Sequence, residues 1–307
     1  MTLHRFTFRA MAAENEVQVH CEDPGFAEAA AARAIAEVRR IEAKYSRYLA
    51  QSVVSRINRE AGGAPVAIDA ETHGLLVFAD ACHAQSSGAF DATSGVLRRA
   101  WRFDSDQVPS DADLAPLLDL IGWRRVELTE HAVRLPSRGM ELDFGGFGKE
   151  YAVDRAALAL REIGAGSALV NLAGDLAILG PQPDGSPWRV GIRHPRHEGT
   201  LLATLPVSSG GIATSGDYER FIEVDGVRHS HILDPRTGRS VRSFQSVTVH
   251  AGSCLIAGSA ATIAMLKGER DGLEWLEMLG LSHLCVRGNG EIVEGFNPPK
   301  AMNHRNH

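Results

Sequence analysis

Helix-like and strand-like patterns follow one another along the whole chain, with no low-complexity linker and no sharp change in composition between them. The alanine-rich stretch Phe26–Leu49 has apolar residues at steps of three and four, which is typical of a helix with one buried face. The second half carries short apolar or β-branched segments separated by turns, such as Ala168–Leu172 and Trp188–Ile192, which favour strands. This order predicts an α/β fold of the α+β kind, with one mixed α/β domain, and it leaves open an internal duplication of helix-plus-strands units.

Composition narrows the classes of protein that the chain could belong to. The 307 residues carry a net charge of −6, which argues against nucleic-acid binding because phosphate contacts need clustered Lys and Arg. The four cysteines have no CxxC or zinc-binding spacing and are predicted to be reduced. No run of about 20 apolar residues occurs, so we expect no membrane insertion and a soluble, cytoplasmic protein. Residues 1–296 are predicted to form the domain and residues 297–307 a polar, mobile tail.

The most informative segment is the glycine-rich stretch between Glu141 and Arg155. A predicted strand ends at Asp143, glycines fill three of the four positions 145–148, and a predicted helix then begins. Glycines let the backbone approach a bulky or anionic ligand, and the start of a helix offers free N–H groups. Lys149 stands where it could contact a phosphate or a ring carbonyl. By itself the segment fits a tight structural turn equally well, because it matches neither a Walker loop nor GxGxxG.

Two further polar segments are ambiguous by themselves. Asn171 and Asp175 lie at a corner between two apolar strands, where they could face a site or shape a turn. His229 and His231 are two residues apart on a predicted strand, so their side chains should share one face. One of these histidines could act as a general base, and a purely structural role is the alternative for both segments.

Together, and in this order, these segments resemble the ApbE family, the FAD:protein FMN transferases. The resemblance covers nearly the whole chain. Its motifs are Ala10-Met11, Lys44-Tyr-Ser-Arg-Tyr-Leu49, Ser55-Arg-Ile-Asn58, Ser87-Gly-Ala-Phe-Asp-Ala-Thr93, Asp143-Phe-Gly-Gly-Phe-Gly-Lys149, Asn171-Leu-Ala-Gly-Asp175, Thr214-Ser-Gly-Asp217, His231-Ile-Leu-Asp-Pro-Arg-Thr-Gly238 and Ala261-Thr262. This many motifs in one order is not expected by chance.

The resemblance implies a reaction in which FAD is bound in a cleft with Mg²⁺ on its pyrophosphate. A Thr or Ser hydroxyl of an acceptor protein attacks the FMN phosphorus, AMP leaves, and FMN stays attached through a phosphoester. The implied ligands and partners are therefore FAD, Mg²⁺ and an acceptor flavoprotein. Two alternatives use the same cleft: a flavin-binding protein without transferase activity, and a Mg²⁺-dependent FAD pyrophosphatase in which water replaces the acceptor hydroxyl.

The resemblance also assigns roles to residues by their position in the motifs. The cofactor-binding candidates are Met11, Tyr48, Ala89, Phe90, Asp91, Asp143, Lys149 and His229. The catalytic candidates are His231, which would activate the acceptor hydroxyl, and Asp217. The metal-site candidates are Gly146 through its backbone carbonyl, Thr262, the position of Gly258, and Asp175.

Two departures from the family pattern bear on this assignment. Gly258 stands where the family usually has a metal-binding aspartate, four residues before the threonine. Mg²⁺ favours carboxylate oxygens, so this loss should weaken the metal site unless another acid replaces it, and Asp175 and Asp217 are the candidates. Ala173 stands where the family usually has glycine, and its methyl group could crowd a backbone close to the ligand.

Overall fold

The structure is a computed structural model that describes residues 1–295, so the predicted tail at 297–307 lies outside the described residues. The strands are β1 (Thr2–Ala10), β2 (Ala13–Cys21), β3 (Val66–Ala67), β4 (Glu127–Leu128), β5 (Ala132–Arg134), β6 (Ala168–Leu172), β7 (Asp175–Leu179), β8 (Trp188–Arg193), β9 (Leu201–Val207), β10 (Gly210–Gly216), β11 (Phe221–Val224), β12 (Val227–Ser230), β13 (Phe244–Ala251), β14 (Ser282–Arg287) and β15 (Ile292–Gly295). The helices are α1 (Pro24–Tyr45), α2 (Val53–Arg59), α3 (Ala70–Gln85), α4 (Asp111–Leu118), α5 (Gly148–Glu162), α6 (Cys254–Lys267) and α7 (Glu269–Met278), with 3₁₀ helices at Ser94–Arg99 and Trp123–Arg125.

An eight-stranded sheet in the order β1-β2-β6-β7-β10-β13-β14-β15 organises the molecule, and its neighbouring strands are antiparallel. Helices α1, α5 and α6 pack on one face, and the β8–β9 hairpin packs on the other. Because the middle strands are covered on both faces, β13 is buried along almost its whole length and carries an apolar, β-branched sequence. The prediction of one mixed domain of helices and strands is confirmed.

Small side chains decide how closely the helices pack beside the site. Helix α1 buries alanines along one face, including Ala30 and Ala34, and α5 buries Ala152 and Ala156. Alanine adds little bulk and favours the helical backbone, so the two helices can pack closely along their length. The position of α5 on the sheet is therefore set by packing, and the start of this helix is held at one place on the sheet.

Three local predictions differ from the structure. The helix predicted to reach Leu49 ends at Tyr45, which leaves Tyr48 outside the helix and 74% exposed. The strands β1 and β10 were not predicted. Strand β10 is rich in glycine, alanine and small hydroxyl residues and lacks the usual apolar alternation. The strand predicted to continue from His229 to Leu233 ends at Ser230, so His229 and His231 do not share a strand.

Within residues 1–295, the four cysteines form no disulfide. No helix in this part of the chain combines the length and apolar character needed to cross a membrane.

Candidate functional site

The chain that enters the glycine-rich turn is held in place by Asn58. The side-chain amide of Asn58 accepts a hydrogen bond from the Leu142 N–H at 2.6 Å and donates one to the Leu142 carbonyl at 2.9 Å. This double contact satisfies both backbone groups of a buried residue, as a neighbouring strand would. The motif that ends in Asn58 thus positions the turn, and the next residue, Asp143, is anchored by its own N–H on the Ala92 carbonyl at 2.8 Å.

Asp143 is the first polar side chain of the turn. Its carboxylate pairs with Arg47 and accepts a hydrogen bond from the Gly145 N–H at 2.9 Å. Arg47 also donates to the hydroxyl of Tyr48 at 2.9 Å, so the exposed tyrosine ring is tethered beside the turn. These contacts bring the predicted residues Asp143 and Tyr48 to one place.

The predicted residues Ala89, Phe90 and Asp91 are all buried. A Cβ atom on Gly146 would lie 2.9 Å from the Phe90 ring, so only glycine fits there without a shift of one or the other. Asp91 uses its carboxylate within the protein, because it accepts hydrogen bonds from the backbone N–H groups of Thr93 at 2.7 Å and Trp123 at 3.0 Å. In this structure, therefore, Phe90 packs against the glycine turn, and Asp91 holds the backbone of Thr93 and Trp123.

Helix α5 begins directly after the turn and carries the central charge of the site. Its N-cap, Phe147, provides no side-chain hydrogen bond, and the Gly148 N–H donates to the Phe144 carbonyl at 2.6 Å. The Lys149 N–H is therefore the group of the first turn that can be offered to an anion. The Lys149 ammonium lies 2.7 Å from a carboxylate oxygen of Asp175, which is 3% exposed. Burial acts to lower the pKa of Lys149, but the neighbouring carboxylates outweigh it and raise that pKa, so the lysine is charged at neutral pH. Burial raises the pKa of Asp175 against the opposing charge of Lys149.

Glu150, the next residue of α5, was not among the predicted site residues. It is 8% exposed, and its side chain lies directly against Gly258 of α6. Burial and the nearby charge of Asp175 raise the pKa of the Glu150 carboxyl. The sequence indicates that Glu150 is buried, because Glu150 shares a helix face with the buried residues Val153 and Leu160. A charged residue on an apolar helix face is a candidate for a functional role.

Helix α6 is fixed to α5 by a side-chain cap. Asp154 accepts hydrogen bonds from the backbone N–H groups of Cys254 and Leu255, both at 2.8 Å. The carboxylate satisfies two N–H groups that the helix start leaves free, and its charge is favourable at that end of the helix. Further along α6, the Thr262 hydroxyl lies 2.8 Å from the Ser215 hydroxyl of β10. The cap and this contact place Gly258 and Thr262 between α5 and β10.

The two predicted histidines have different surroundings. His229 is buried, and its ring centroid lies 5.7 Å from that of Trp101, so it packs inside the protein. His231 is exposed, and its Nδ1 lies 3.2 Å from the Arg220 carbonyl. A carbonyl only accepts, so Nδ1 must donate and Nε2 keeps its lone pair. Desolvation of the ring lowers the pKa of His231, and the positive charges of Arg220 and Lys149 act in the same direction. Of the two histidines, His231 is the one that a ligand from outside can reach.

Asp217 and Met11 are both engaged within the protein. Asp217 is buried, and its two carboxylate oxygens accept hydrogen bonds from Arg196 at 2.7 and 2.6 Å, with Arg228 at 3.7 Å. Its charge is thereby matched, so it is poorly placed to replace the missing acid at Gly258. Met11 lies in the turn between β1 and β2, and its N–H donates to Glu42 at 2.6 Å.

The site as a whole is that of a protein that binds an anionic ligand. It combines a glycine-lined turn, a helix start with no side-chain cap, a buried Lys–Asp pair and an exposed histidine, with hydroxyls from two further elements. A family model matches residues 11–285, and the chain belongs to the ApbE family. The predicted family is thereby confirmed.

Known proteins of similar sequence and structure agree with this membership. The chain is 32% identical over 234 residues to the FAD:protein FMN transferase of Vibrio cholerae, and this match covers 74% of the chain and 70% of that protein. It is 36% identical over 228 residues to the FAD:protein FMN transferase of Klebsiella pneumoniae, with coverage of 72% and 70%. The crystal structure of the ApbE protein of Thermotoga maritima superimposes with a TM-score of 0.87 at 30% identity, over 96% of this chain and 97% of that one. The flavin transferase ApbE of Vibrio cholerae gives 0.86 at 26% identity and 96% coverage of both chains.

Proposed function

We propose that this chain is an FAD:protein FMN transferase that moves FMN from FAD to a Thr or Ser hydroxyl of an acceptor protein. The acceptor oxygen forms a bond to the FMN phosphorus, the bond from that phosphorus to the bridging oxygen breaks, and AMP leaves. The observation that carries the proposal is that Lys149 pairs with the buried Asp175 carboxylate at 2.7 Å where α5 begins, directly after the glycine-rich turn. Family membership and the names of the similar proteins support it.

Lys149 and the start of α5 are proposed to receive the phosphates of FAD. The lysine offers a charged donor on its side chain, and its backbone N–H lies in the first turn of α5, where the N-cap residue Phe147 makes no side-chain hydrogen bond. Both favour the negative charge that moves between oxygens during phosphoryl transfer. Tyr48 and Met11 are proposed to contact the ring systems of FAD, since an exposed tyrosine beside the turn offers a flat stacking surface.

His231 is proposed to accept the proton of the acceptor hydroxyl at Nε2. The Arg220 carbonyl holds Nδ1, which fixes the orientation of the ring and leaves Nε2 as the basic atom. Because His231 is exposed, an acceptor protein can reach it without a rearrangement of the core. A lowered pKa keeps the ring neutral at physiological pH, as a general base requires.

The proposal includes a bound Mg²⁺. Among residues 1–295, no three His, Cys, Asp or Glu side chains form a metal cluster by themselves. Mg²⁺ commonly uses one or two carboxylates and completes its shell with water and substrate phosphates, so a sparse set of oxygen donors is suitable. Asp175, the Thr262 hydroxyl and the Gly146 carbonyl are the proposed ligands. When bound, the ion would neutralise charge on the pyrophosphate.

The direct test mixes the protein with FAD, MgCl₂ and candidate flavoproteins that carry an exposed Thr or Ser. We expect covalent flavin fluorescence of the acceptor on a denaturing gel, and an amount of released AMP equal to the amount of labelled acceptor. AMP and free FMN without any acceptor would instead identify a pyrophosphatase, and FAD binding without AMP release would identify a flavin-binding protein. Absence of FAD binding, with or without Mg²⁺, would overturn the proposal. A cytoplasmic location stays a prediction of the sequence.

A further inference from the structure

We propose, on the basis of the function proposed above, that Glu150 supplies the carboxylate of the divalent-cation site that Gly258 cannot supply. The ApbE family usually has an aspartate at the position of Gly258, on α6. In this chain the acid reaches the same place from α5 instead.

The first observation is that Glu150 fills the volume that a side chain at position 258 would need. A Cβ atom built on Gly258 would lie 2.5 Å from Glu150 Cγ and 2.6 Å from Glu150 Oε1. Contacts this short require one of the groups to move, so a side chain at 258 and the present position of Glu150 exclude one another. Glycine is unfavourable inside a helix, and Gly258 lies in the buried middle of α6. Room for Glu150 is a physical reason for that glycine.

The second observation is an oxygen without a partner. Glu150 Oε2 is buried and accepts no hydrogen bond from any of the residues 1–295. An isolated buried carboxyl oxygen is unfavourable, and native structures normally pair such atoms with a donor or a cation. A residue whose only task was to fill space beside Gly258 would be apolar. The unpaired oxygen therefore indicates a ligand that is bound during function.

The surroundings of Glu150 indicate that this ligand is a cation. Asp175 acts electrostatically on Glu150 and is buried as well, and Lys149 is the cation paired with it at 2.7 Å. Asp154 is matched by the start of α6. Glu150 and Asp175 are therefore two buried acidic side chains that share one lysine. A divalent cation can be held between two such groups, and Mg²⁺ commonly takes one or two carboxylates from a protein.

The test measures Mn²⁺ binding by electron paramagnetic resonance and calorimetry, in the presence of FAD and without any acceptor. Mn²⁺ prefers the same oxygen ligands as Mg²⁺ and is directly observable. Glu150→Gln keeps the volume of the side chain and removes the charge, and we expect it to weaken Mn²⁺ binding by about tenfold or more. Glu162→Gln, at the exposed end of the same helix, is the matched control and should bind Mn²⁺ as the wild type does. Circular dichroism and thermal unfolding verify that each variant is folded.

An exchange of the two positions sharpens the test. Gly258→Asp alone should bind Mn²⁺ poorly or unfold at lower temperature, because its new side chain collides with Glu150. The double variant Glu150→Gly with Gly258→Asp removes the collision, and it should bind Mn²⁺ more tightly than Glu150→Gly alone. Wild-type affinity in Glu150→Gln would overturn the inference. So would the absence of Mn²⁺ binding to the wild type with FAD.

The two proposals fail in distinguishable ways. A wild-type protein that binds Mn²⁺ through Glu150 but labels no acceptor would reject the transferase function and leave the cation ligand standing. A wild-type protein that labels acceptors, with unchanged Mn²⁺ binding in Glu150→Gln, would reject the role of Glu150 alone.

Discussion

The Lys149 ammonium lies 2.7 Å from the Asp175 carboxylate and joins the first turn of α5 to β7. Asp175 is almost fully buried, whereas the Lys149 side chain is partly exposed. Removal of the lysine therefore leaves a buried carboxylate without its partner, which costs more than the loss of an exposed ion pair. The pair contributes to stability and also sets the charge that the cleft presents to a ligand.

Lys149→Met should lower both stability and FAD affinity. We expect a loss of about 2 kcal/mol in the free energy of unfolding, since the lysine is partly solvated and the value for a fully buried pair does not apply. Urea unfolding measures this loss. Addition of Asp175→Asn should recover part of the stability but none of the FAD affinity, because the phosphate contact remains absent. Equal stability of Lys149→Met and the wild type would contradict the structural part of the prediction.

His231→Asn should slow FMN transfer by about 10²- to 10⁴-fold, the range for loss of a general base, and change FAD affinity little. The pKa of His231 is lowered in the folded protein, so its neutral form persists below the ordinary histidine range, and activity should fall only as pH drops through that lowered pKa. The measurement is a pH profile of kcat/KM from pH 5 to 8.

The control for this prediction is His229→Asn. His229 packs on Trp101 inside the protein, so its replacement should reduce stability and leave the acid limb of the profile in place. A profile that loses its acid limb in His229→Asn and keeps it in His231→Asn would reverse the assignment of the two histidines.

The family and the mixed fold were predictable because local patterns and ordered motifs are properties of the sequence itself. The contact between Glu150 and Gly258 was not, since the two residues lie on different helices and no spacing relates them. The same reason explains why Asp217 was a candidate for the missing acid, although Arg196 occupies its carboxylate. Strand β12 ends at Ser230, which pairs with Phe221, the first residue of its partner strand β11. The periodicity of β12 itself does not contain this limit. The roles of the predicted site residues stay predictions.

Ala173→Gly should stabilise the protein. Ala173 has a φ of +52°, in the left-handed region that disfavours residues with a Cβ atom, and it forms the β6–β7 turn together with Gly174. Relief of this strain should raise the free energy of unfolding, and the greater freedom of glycine in the unfolded chain offsets part of that gain. We expect a net increase of about 0.5–1 kcal/mol. Gly174→Ala should have the opposite effect, because Gly174 has a φ of +100°. Thermal and urea unfolding of both variants measure the difference, and a destabilised Ala173→Gly would show that its methyl group makes a needed contact.

Glu71→Gln should destabilise the protein at neutral pH and lose this effect in acid. Glu71 accepts hydrogen bonds from Arg40 at 2.6 and 2.8 Å, from Lys44 at 2.5 Å and from Tyr151 at 2.8 Å, which ties α3 to α1 and α5. The bonds from Arg40, and then those from Lys44 and Tyr151, hold the pKa of Glu71 well below its ordinary value. A lowered folded-state pKa contributes stability above the unfolded value of about 4.3, and this contribution fades as pH falls below it. We expect Glu71→Gln to lower the free energy of unfolding by about 1–2 kcal/mol at pH 7 and by progressively less from pH 4 to pH 2, as measured by urea unfolding at each pH.

The control is Glu130→Gln, in an exposed turn, which should change the free energy of unfolding little at any pH. If the destabilisation by Glu71→Gln does not depend on pH, packing rather than charge explains it.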